Sequence, residues 1–201
     1  MNFLAHAVLA EPGSDGFLFG NLIADGVRGS RLHEWPQDIA LGIRHHRRVD
    51  ATIDHHPTVI ALRRRIEGPE RRVAGIAFDL LWDHFLAQEC LAEPAGRALI
   101  ERSYRVLEQG EQQVPPRVAT TISLLRRHDW LSSYADFDFT CQAISGLGER
   151  LTGVNRLSQL LPWIRAHRAT LAAAFRDLWP DMLSLRDECR VTTAAQARNA
   201  R

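Results

Sequence analysis

The most constraining feature of this chain is a set of acidic and histidine side chains at positions where a helix would normally bury leucine. Ile39, Ile43, His46, Asp50 and Ile53 follow one another at helical spacing, which places them on one stripe of an α-helix. A buried carboxylate without a partner is unfavourable, so it must either take up a proton or find a cation. The stripe is therefore predicted to present His46 and Asp50, one turn apart, to a single cation.

Two further segments present groups of the same kind. Asp79 and Asp83 lie on one stripe of a helix that is apolar on nearly every other side. Their mutual repulsion would force a proton onto the pair unless a divalent cation binds. Asn21 and Asp25 lie one turn apart among apolar neighbours. Three helices that each offer such groups indicate one shared metal site, with a predicted ligand set of Asp25, His46, Asp50, Asp79 and Asp83.

Other polar side chains in these segments are candidates for supporting roles. Asn21 and Asp54 extend the predicted rows by one turn, and His6 is either a core residue of a short apolar helix or an outer ligand. His84 is either a metal ligand, a general acid/base or a core histidine. Nitrogen and oxygen ligands of this mixture suit Mn²⁺, Mg²⁺ or Fe²⁺ better than a structural zinc ion. The histidines expected to support the site from outside or to lie on the surface are His45, His55 and His56.

The composition narrows the functional classes. A length of 201 residues suits one domain, and a net charge of +1 argues against a strong non-specific nucleic-acid binder. No apolar run approaches the roughly 20 residues of a membrane span, and the first residues lack a basic leader, which indicates a cytosolic protein. The chain also lacks the glycine-rich phosphate loop, the dinucleotide fingerprint and the nucleophile elbow. Metal-activated water is the chemistry that remains. The cysteines, expected to be packing residues, are Cys90, Cys141 and Cys189.

Helical periodicity runs through almost the whole chain, and no segment shows sustained strand alternation. We predict an all-α fold, a single-domain bundle of seven to nine helices over residues 1–190, followed by a polar tail over 191–201. Prolines are typical of the first turn of a helix and help to place the starts. The predicted helices are 2–10, 17–27, three that begin at Pro36, Pro57 and Pro69, and 94–110, 116–131, 134–152 and 156–188.

At these same residues the chain resembles the acyl-carrier-protein phosphodiesterases, which are relatives of the HD-domain metal phosphohydrolases. The matching motifs follow one another in order through the first ninety residues, and a weaker likeness continues from Trp130. The motifs are Met1-Asn2-Phe3-Leu4-Ala5-His6, Gly20-Asn21-Leu22-Ile23-Ala24-Asp25, Arg28-Gly29, Gly42-Ile43, His46-Arg47-Arg48-Val49-Asp50, Asp54, Arg71-Arg72-Val73-Ala74 and Asp79-Leu80-Leu81-Trp82-Asp83-His84-Phe85-Leu86.

The resemblance implies an HD-domain-like helical fold and a specific reaction. The reaction is hydrolysis of the phosphodiester that joins 4′-phosphopantetheine to a serine of holo acyl carrier protein, with a divalent metal, commonly manganese. The chain departs from the pattern in two places. His55 and His56 follow Asp54 where the family is less basic, and Asp83-His84 reverses the order of the His-Asp doublet that names the HD proteins.

The resemblance also suggests roles for individual residues. The predicted catalytic residues are His84, Asp83 and Arg47. For the arginine the reason is that Arg47 or its neighbour Arg48 can hold phosphodiester oxygens. Carrier proteins are small and acidic, so an arginine-rich surface near the metal would steer one into the site. The arginines predicted to bind the partner are Arg48, Arg63, Arg64, Arg65 and Arg72.

Two other functions fit the same residues. One is an HD-type phosphohydrolase that acts on a nucleotide or another small phosphate ester, with the same metal chemistry. The other is a helical binding module without enzymatic activity, in which the buried acids hold a structural metal. In the second case a metal ion would stabilise the fold, but no phosphodiester would be cleaved.

Overall fold

The computed structural model describes residues 2–150 and 157–199, and every regular element within these ranges is helical. The predicted all-α fold is therefore confirmed. None of the described helices combines the length and the apolar composition that crossing a membrane requires. The α-helices are α1 (Phe3–Ala10), α2 (Asp15–Ile23), α3 (Gln37–Asp54), α4 (Pro57–Arg64), α5 (Ala74–Ala92), α6 (Pro94–Gly110), α7 (Pro116–Arg127), α8 (Trp130–Ser133), α9 (Phe137–Arg150), α10 (Leu161–Ala166) and α11 (Arg168–Asn199).

The described ranges hold eleven α-helices, more than the seven to nine that were predicted, because two predicted helices are interrupted. Asp129 adopts a left-handed conformation with φ of 45°, which separates α7 from α8. His167 is the C-cap residue of α10 and separates this helix from α11. The prediction for Pro69 was also wrong, since it begins only a 3₁₀ turn, Pro69–Arg72.

The C-terminal predictions fall partly beyond the described residues. The junction between the predicted helices 134–152 and 156–188 includes residues 151–156, which lie outside the described ranges. The backbone of α11 is helical through Asn199, so the predicted tail over 191–201 begins inside this helix. Cys90 and Cys141 are buried free thiols, as expected of packing residues, whereas the side chain of Cys189 is not among those described.

Helix α5 runs through the core, as its nearly continuous apolar sequence predicts. Phe78, Leu81 and Trp82 are almost completely buried. The Trp82 ring stacks on Phe175 of α11, with centroids 5.9 Å apart. Because α5 is surrounded by other helices, its acidic residues Asp79 and Asp83 each face a different neighbouring element.

Two glycines allow α2 and α3 to pack in close contact. A Cβ atom on Gly20 would lie 2.1 Å from the carbonyl oxygen of Ile39, and one on Gly42 would lie 2.1 Å from that of Phe17. Any larger residue at either position would force the helices apart. This close approach brings the C-terminal end of α2 against the middle of α3, where His46 lies.

Candidate metal centre

Three side chains from two helices converge on one point near the N-terminal end of the chain. His6 comes from α1, and His46 and Asp50 come from successive turns of α3; their ligand atoms lie within 4.8 Å of one another. His6 Nε2 is 3.1 Å from Asp50 Oδ1, and His46 Nε2 is 3.0 Å from Asp50 Oδ2. Asp25, in the 3₁₀ turn that follows α2, adds a fourth group, with Oδ1 3.1 Å from His46 Nε2.

The end of α2 fixes the orientation of the His46 ring. His46 Nδ1 donates a hydrogen bond of 2.8 Å to the backbone carbonyl of Asn21. With its proton held at Nδ1, a neutral His46 carries its lone pair at Nε2, which points toward Asp25 and Asp50. A backbone carbonyl that orients a histidine in this way is the usual support of a metal ligand.

The His6 ring lies parallel to the His46 ring and completes the pocket. The two centroids are 3.7 Å apart, and the planes differ by 14°. Burial, together with the nearby charge of His46, lowers the pKa of His6 to about 3, so this ring is neutral at physiological pH. His6 therefore enters the cluster as an uncharged nitrogen donor.

The charges of the cluster favour a bound cation. Burial alone would lower the pKa of His46, but the hydrogen bonds and charges of Asp25 and Asp50 outweigh it and raise the pKa to about 9. The hydrogen bond from His46 lowers the pKa of Asp25. Although burial opposes ionisation of Asp50, the hydrogen bonds from His46 and His6 hold its pKa well below the usual value. Without a metal, the proton on His46 serves as the cation between two carboxylates.

The donor set fits a divalent ion in both charge and spacing. Two carboxylates and two neutral imidazoles carry a charge of −2, which a divalent ion neutralises, whereas a protonated His46 leaves one negative charge uncompensated. Octahedral ions with bonds of about 2.1 Å place adjacent ligand atoms about 3.0 Å apart. The observed separations of 3.0 and 3.1 Å are hydrogen-bond distances, and they are also compatible with that edge length. The cluster opens toward solvent at Asp25, whose side chain is 81% exposed.

Asp79, also predicted to be a ligand, does not join this cluster of donors. The negative charges of Asp50 and Asp54 act on the Asp79 carboxylate. Asp79 therefore lies near these two residues, on the side of the site formed by α5. Burial, reinforced by these two charges, raises the pKa of Asp79 to about 6. Asp54 itself is exposed at the last position of α3, near the start of α5, where a Cβ on Gly75 would be 3.9 Å from its Oδ1.

Asp83 has a different task from the one predicted for it. Its two oxygens accept hydrogen bonds from the backbone N–H groups of Leu4 and Ala5, at 2.8 and 2.9 Å. The carboxylate therefore caps the N-terminus of α1, with one hydrogen bond on each oxygen. Burial raises the pKa of Asp83 to about 7, and these two hydrogen bonds oppose the increase. The structure brings Asp83 to the helix that carries His6 and not to the metal donors.

His84 also faces away from the cluster. The ring is completely buried, and Nδ1 donates 2.8 Å to the carbonyl of Tyr134, in the link between α8 and α9. Arg168 Nη2 and Gln88 Nε2 approach the other nitrogen at 3.4 and 3.5 Å. Burial lowers the pKa of His84, so it is a neutral histidine that joins α5 to later elements.

One of the predicted arginines supports a turn of the site, and most of the others are exposed on the protein surface. Arg47 Nη2 donates 2.9 Å to the carbonyl of Val27, two residues after Asp25, and so fixes the turn that carries this carboxylate. Arg63 is half-buried in α4. The exposed arginines, which lie on α3, on the end of α4 and on the 3₁₀ turn before α5, are Arg48, Arg64, Arg65 and Arg72.

Of the two roles expected for His45, surface or support, the structure is consistent with support. His45 is buried, and its Nδ1 lies 2.6 Å from the Asn21 side-chain nitrogen, which donates to it. Asn21 thus serves the site twice, with its side chain on His45 and its carbonyl on His46. The sequence signal for this contact was the pair Gly20 and Gly42, which indicates close packing of α2 on α3.

Comparisons with known proteins agree with the resemblance seen in the motifs. The sequence model of the family described as acyl carrier protein phosphodiesterase matches residues 1–182. A protein of that name from Photorhabdus laumondii is 36% identical over 186 residues, covering 91% of this chain and 93% of the relative. Namesakes from Escherichia coli O157:H7 and Salmonella agona are 34% and 33% identical, each covering 92% of this chain and 96% of the relative.

No solved structure matches the chain, so the HD-domain likeness stays a prediction. The family match, by contrast, covers every residue of the candidate metal centre, from His6 to Asp50. The chain belongs to the acyl carrier protein phosphodiesterase family.

Proposed function

We propose that this protein is a metal-dependent phosphodiesterase that releases 4′-phosphopantetheine from holo acyl carrier protein and leaves the apo carrier protein. The observation that carries this proposal is the family match over residues 1–182, which includes the whole cluster of His6, His46 and Asp50. A cytoplasmic location follows from the proposal, since that is where we expect the carrier protein to be met.

The proposed ligands are His6, His46, Asp50 and Asp25, and the proposed ion is Mn²⁺. When bound, such an ion lowers the pKa of water and offsets the charge that builds on a phosphoryl group. Contacts within the protein orient these ligands. Asn21 orients His46 through its carbonyl, and Arg47 secures the turn that carries Asp25.

Hydrolysis requires a proton to move between two oxygens. Water adds its oxygen to phosphorus, the bond from phosphorus to the serine oxygen breaks, and that serine oxygen takes up a proton. We assign the transfer to Asp79, because its carboxyl group lies close enough to Asp50 to feel its charge and has a pKa of about 6. A carboxyl group that titrates near neutral pH can both accept and return a proton.

An exposed arginine surface on α3 and α4 suits an acidic partner. Arg48 is two residues from both His46 and Asp50 and so lies on the side of α3 opposite these donors, while Arg64 and Arg65 lie at the C-terminal end of the following helix α4. Exposed guanidinium groups raise the encounter rate with an acidic protein and orient it. We propose that this surface receives the carrier protein while its prosthetic group enters on the open side, at Asp25.

The direct test is mass spectrometry of holo acyl carrier protein after incubation with the protein and Mn²⁺. We expect the carrier protein to lose the mass of 4′-phosphopantetheine, and the loss to stop when a chelator is added. Asp50→Asn should abolish it. Asp138→Asn is a matched control, because this exposed residue pairs only at the surface with Arg165. An unchanged carrier protein, or a preference for nucleotides in a substrate screen, would refute the proposal.

A further inference from the structure

Asn2 holds the N-cap position of α1 but does not act as a cap. Asparagine is among the preferred N-cap residues, because its side-chain oxygen can accept a hydrogen bond from the first turn. Here the Asn2 side chain makes no capping hydrogen bond, although its backbone is extended, with φ of −104° and ψ of −173°. The backbone N–H groups of Leu4 and Ala5 are satisfied by Asp83 instead.

Since Asp83 takes over the cap, the Asn2 amide is not needed there, and Asn2 borders the candidate metal centre. Asn2 lines a small cavity of about 10 Å³ together with several residues of the centre. The side-chain nitrogen Nδ2 is buried, and it has no hydrogen-bond partner among the described residues. The other residues that line this cavity are Phe3, His6, Asn21, Leu22, Asp25 and His46.

The chemistry of this nitrogen defines what it can bind. A side-chain NH₂ group only donates hydrogen bonds, so it cannot be a metal ligand, and it matches an oxygen that carries negative charge. The cavity volume of about 10 Å³ is about what a single water molecule needs, so it admits one oxygen atom. A buried donor without an acceptor is unfavourable. A substrate oxygen that supplies the acceptor would therefore be bound favourably at this position.

We propose that Asn2 is a catalytic residue whose Nδ2 donates a hydrogen bond to a non-bridging oxygen of the phosphodiester. The inference rests on the proposed function, which supplies a phosphodiester beside these donors. Asp83 is then a positioning residue, because its cap on α1 both frees Asn2 and holds His6 one turn further along the same helix. The Asn2 carbonyl accepts a hydrogen bond of 3.2 Å from the His6 N–H, which links the two residues directly.

Two variants separate this role from others. Asn2→Leu keeps the size and removes the donor, whereas Asn2→Asp keeps the shape and replaces the donor with a negative oxygen. Neither change touches the cap, because Asp83 supplies it. We expect kcat/KM on holo acyl carrier protein to fall by about 10²-fold in both, as for other single donors to a reacting anion. Gln112→Leu removes an exposed amide and is the matched control.

A second readout does not depend on turnover. The affinity of the Mn²⁺-loaded protein for inorganic phosphate, measured by calorimetry, should fall about tenfold in Asn2→Leu and further in Asn2→Asp. The affinity of Asn2→Leu for Mn²⁺ should stay within about twofold of the wild type. If the wild-type protein leaves holo acyl carrier protein intact, the proposed function fails, but phosphate binding still tests Asn2.

Three results would overturn the assignment. Unchanged phosphate affinity in both variants would mean that the amide meets a structural water, for instance one shared with Asn21 Oδ1, which is also buried without a partner. Loss of Mn²⁺ affinity in Asn2→Leu equal to the loss of phosphate affinity would place Asn2 in the metal site itself. A lower melting temperature with normal kcat/KM per folded molecule would make the residue structural.

Discussion

Binding of Mn²⁺ should release about one proton at pH 7, and His46 should be its source. In the metal-free protein the carboxylates of Asp25 and Asp50 outweigh the effect of burial and raise the pKa of His46 to about 9. The ring must lose its Nε2 proton before this nitrogen can bind a metal ion. Metal binding is thus an exchange of one proton for one divalent cation.

The size of the effect follows from the pKa shifts of the groups at the centre. With a pKa of about 9, His46 is about 99% protonated at pH 7 and half protonated at pH 9. Asp25 and Asp50 are already ionised, and His6, with a pKa of about 3, is already neutral. Among the acids next to the ligands, Asp79 can add about 0.1 proton at pH 7, because its pKa is about 6. Competition with the His46 proton should weaken the apparent Mn²⁺ affinity about 100-fold at pH 7 relative to high pH.

Calorimetry in buffers of different ionisation enthalpy measures the number of protons released. We expect about one proton at pH 7, about 0.9 at pH 8 and about half at pH 9. In Asp25→Asn the ring loses one of its two carboxylate partners, so its pKa should fall and fewer protons should leave at pH 8. Tight Mn²⁺ binding at pH 7 with no proton release would refute the exchange and remove His46 from the ligand set.

Three further predictions follow from the same contacts. The metal-free protein should become less stable as pH rises from 6.5 to 9, by at most about 3 kcal/mol, in urea titrations at each pH. The raised pKa of His46 stabilises the fold fully below the unfolded value of 6.5 and not at all well above 9, so a flat profile would contradict this charge arrangement. Charge reversal at Arg64 and Arg65 should raise KM for the carrier protein and leave cleavage of a small phosphodiester nearly unchanged; equal loss on both substrates would place these arginines in the catalytic site or in folding. His84→Ala should cost about 2–4 kcal/mol of stability with normal kcat per folded molecule, because its ring is buried against the Tyr134 carbonyl; a large loss of kcat in fully folded protein would restore its catalytic role.

Local periodicity was sufficient to find the part of the site that lies on α3. Ile39, Ile43 and Ile53 are buried on the same stripe as His46, as predicted, because a helix fixes the relative directions of residues three and four apart. The same reasoning found Asp25 and Asn21 but did not indicate which atom of Asn21 supports the site. Its carbonyl supports His46, which no side-chain pattern reveals.

The acids of α5 were beyond the reach of such reasoning. Asp79 and Asp83 share a stripe, yet one faces the charges of Asp50 and Asp54 while the other caps α1, 79 residues away from Leu4. A periodic pattern states only that a carboxylate is buried. Whether its partner is a metal, a cationic ring or two backbone N–H groups depends on which neighbouring helix arrives opposite it.

The pKa directions sort these carboxylates more clearly than their sequence positions do. The hydrogen bond from His46 lowers the pKa of Asp25, and hydrogen bonds from His46 and His6 outweigh burial to lower that of Asp50, so both stay ionised and can hold a cation. Burial raises the pKa of Asp79 and Asp83, which distinguishes these two acids from the ionised pair Asp25 and Asp50.

The assembly of the centre is therefore coupled to folding. His6 reaches the cluster only when α1 is docked, and the N-terminus of α1 is capped by a carboxylate from α5. The other ligands come from α3 and from the turn after α2, so the unfolded chain has no preformed site. An ion that binds only the folded state stabilises it in proportion to its affinity. Mn²⁺ should thus raise the melting temperature of the wild-type protein, and much less that of a variant in which Asp50→Asn removes the carboxylate shared by His6 and His46.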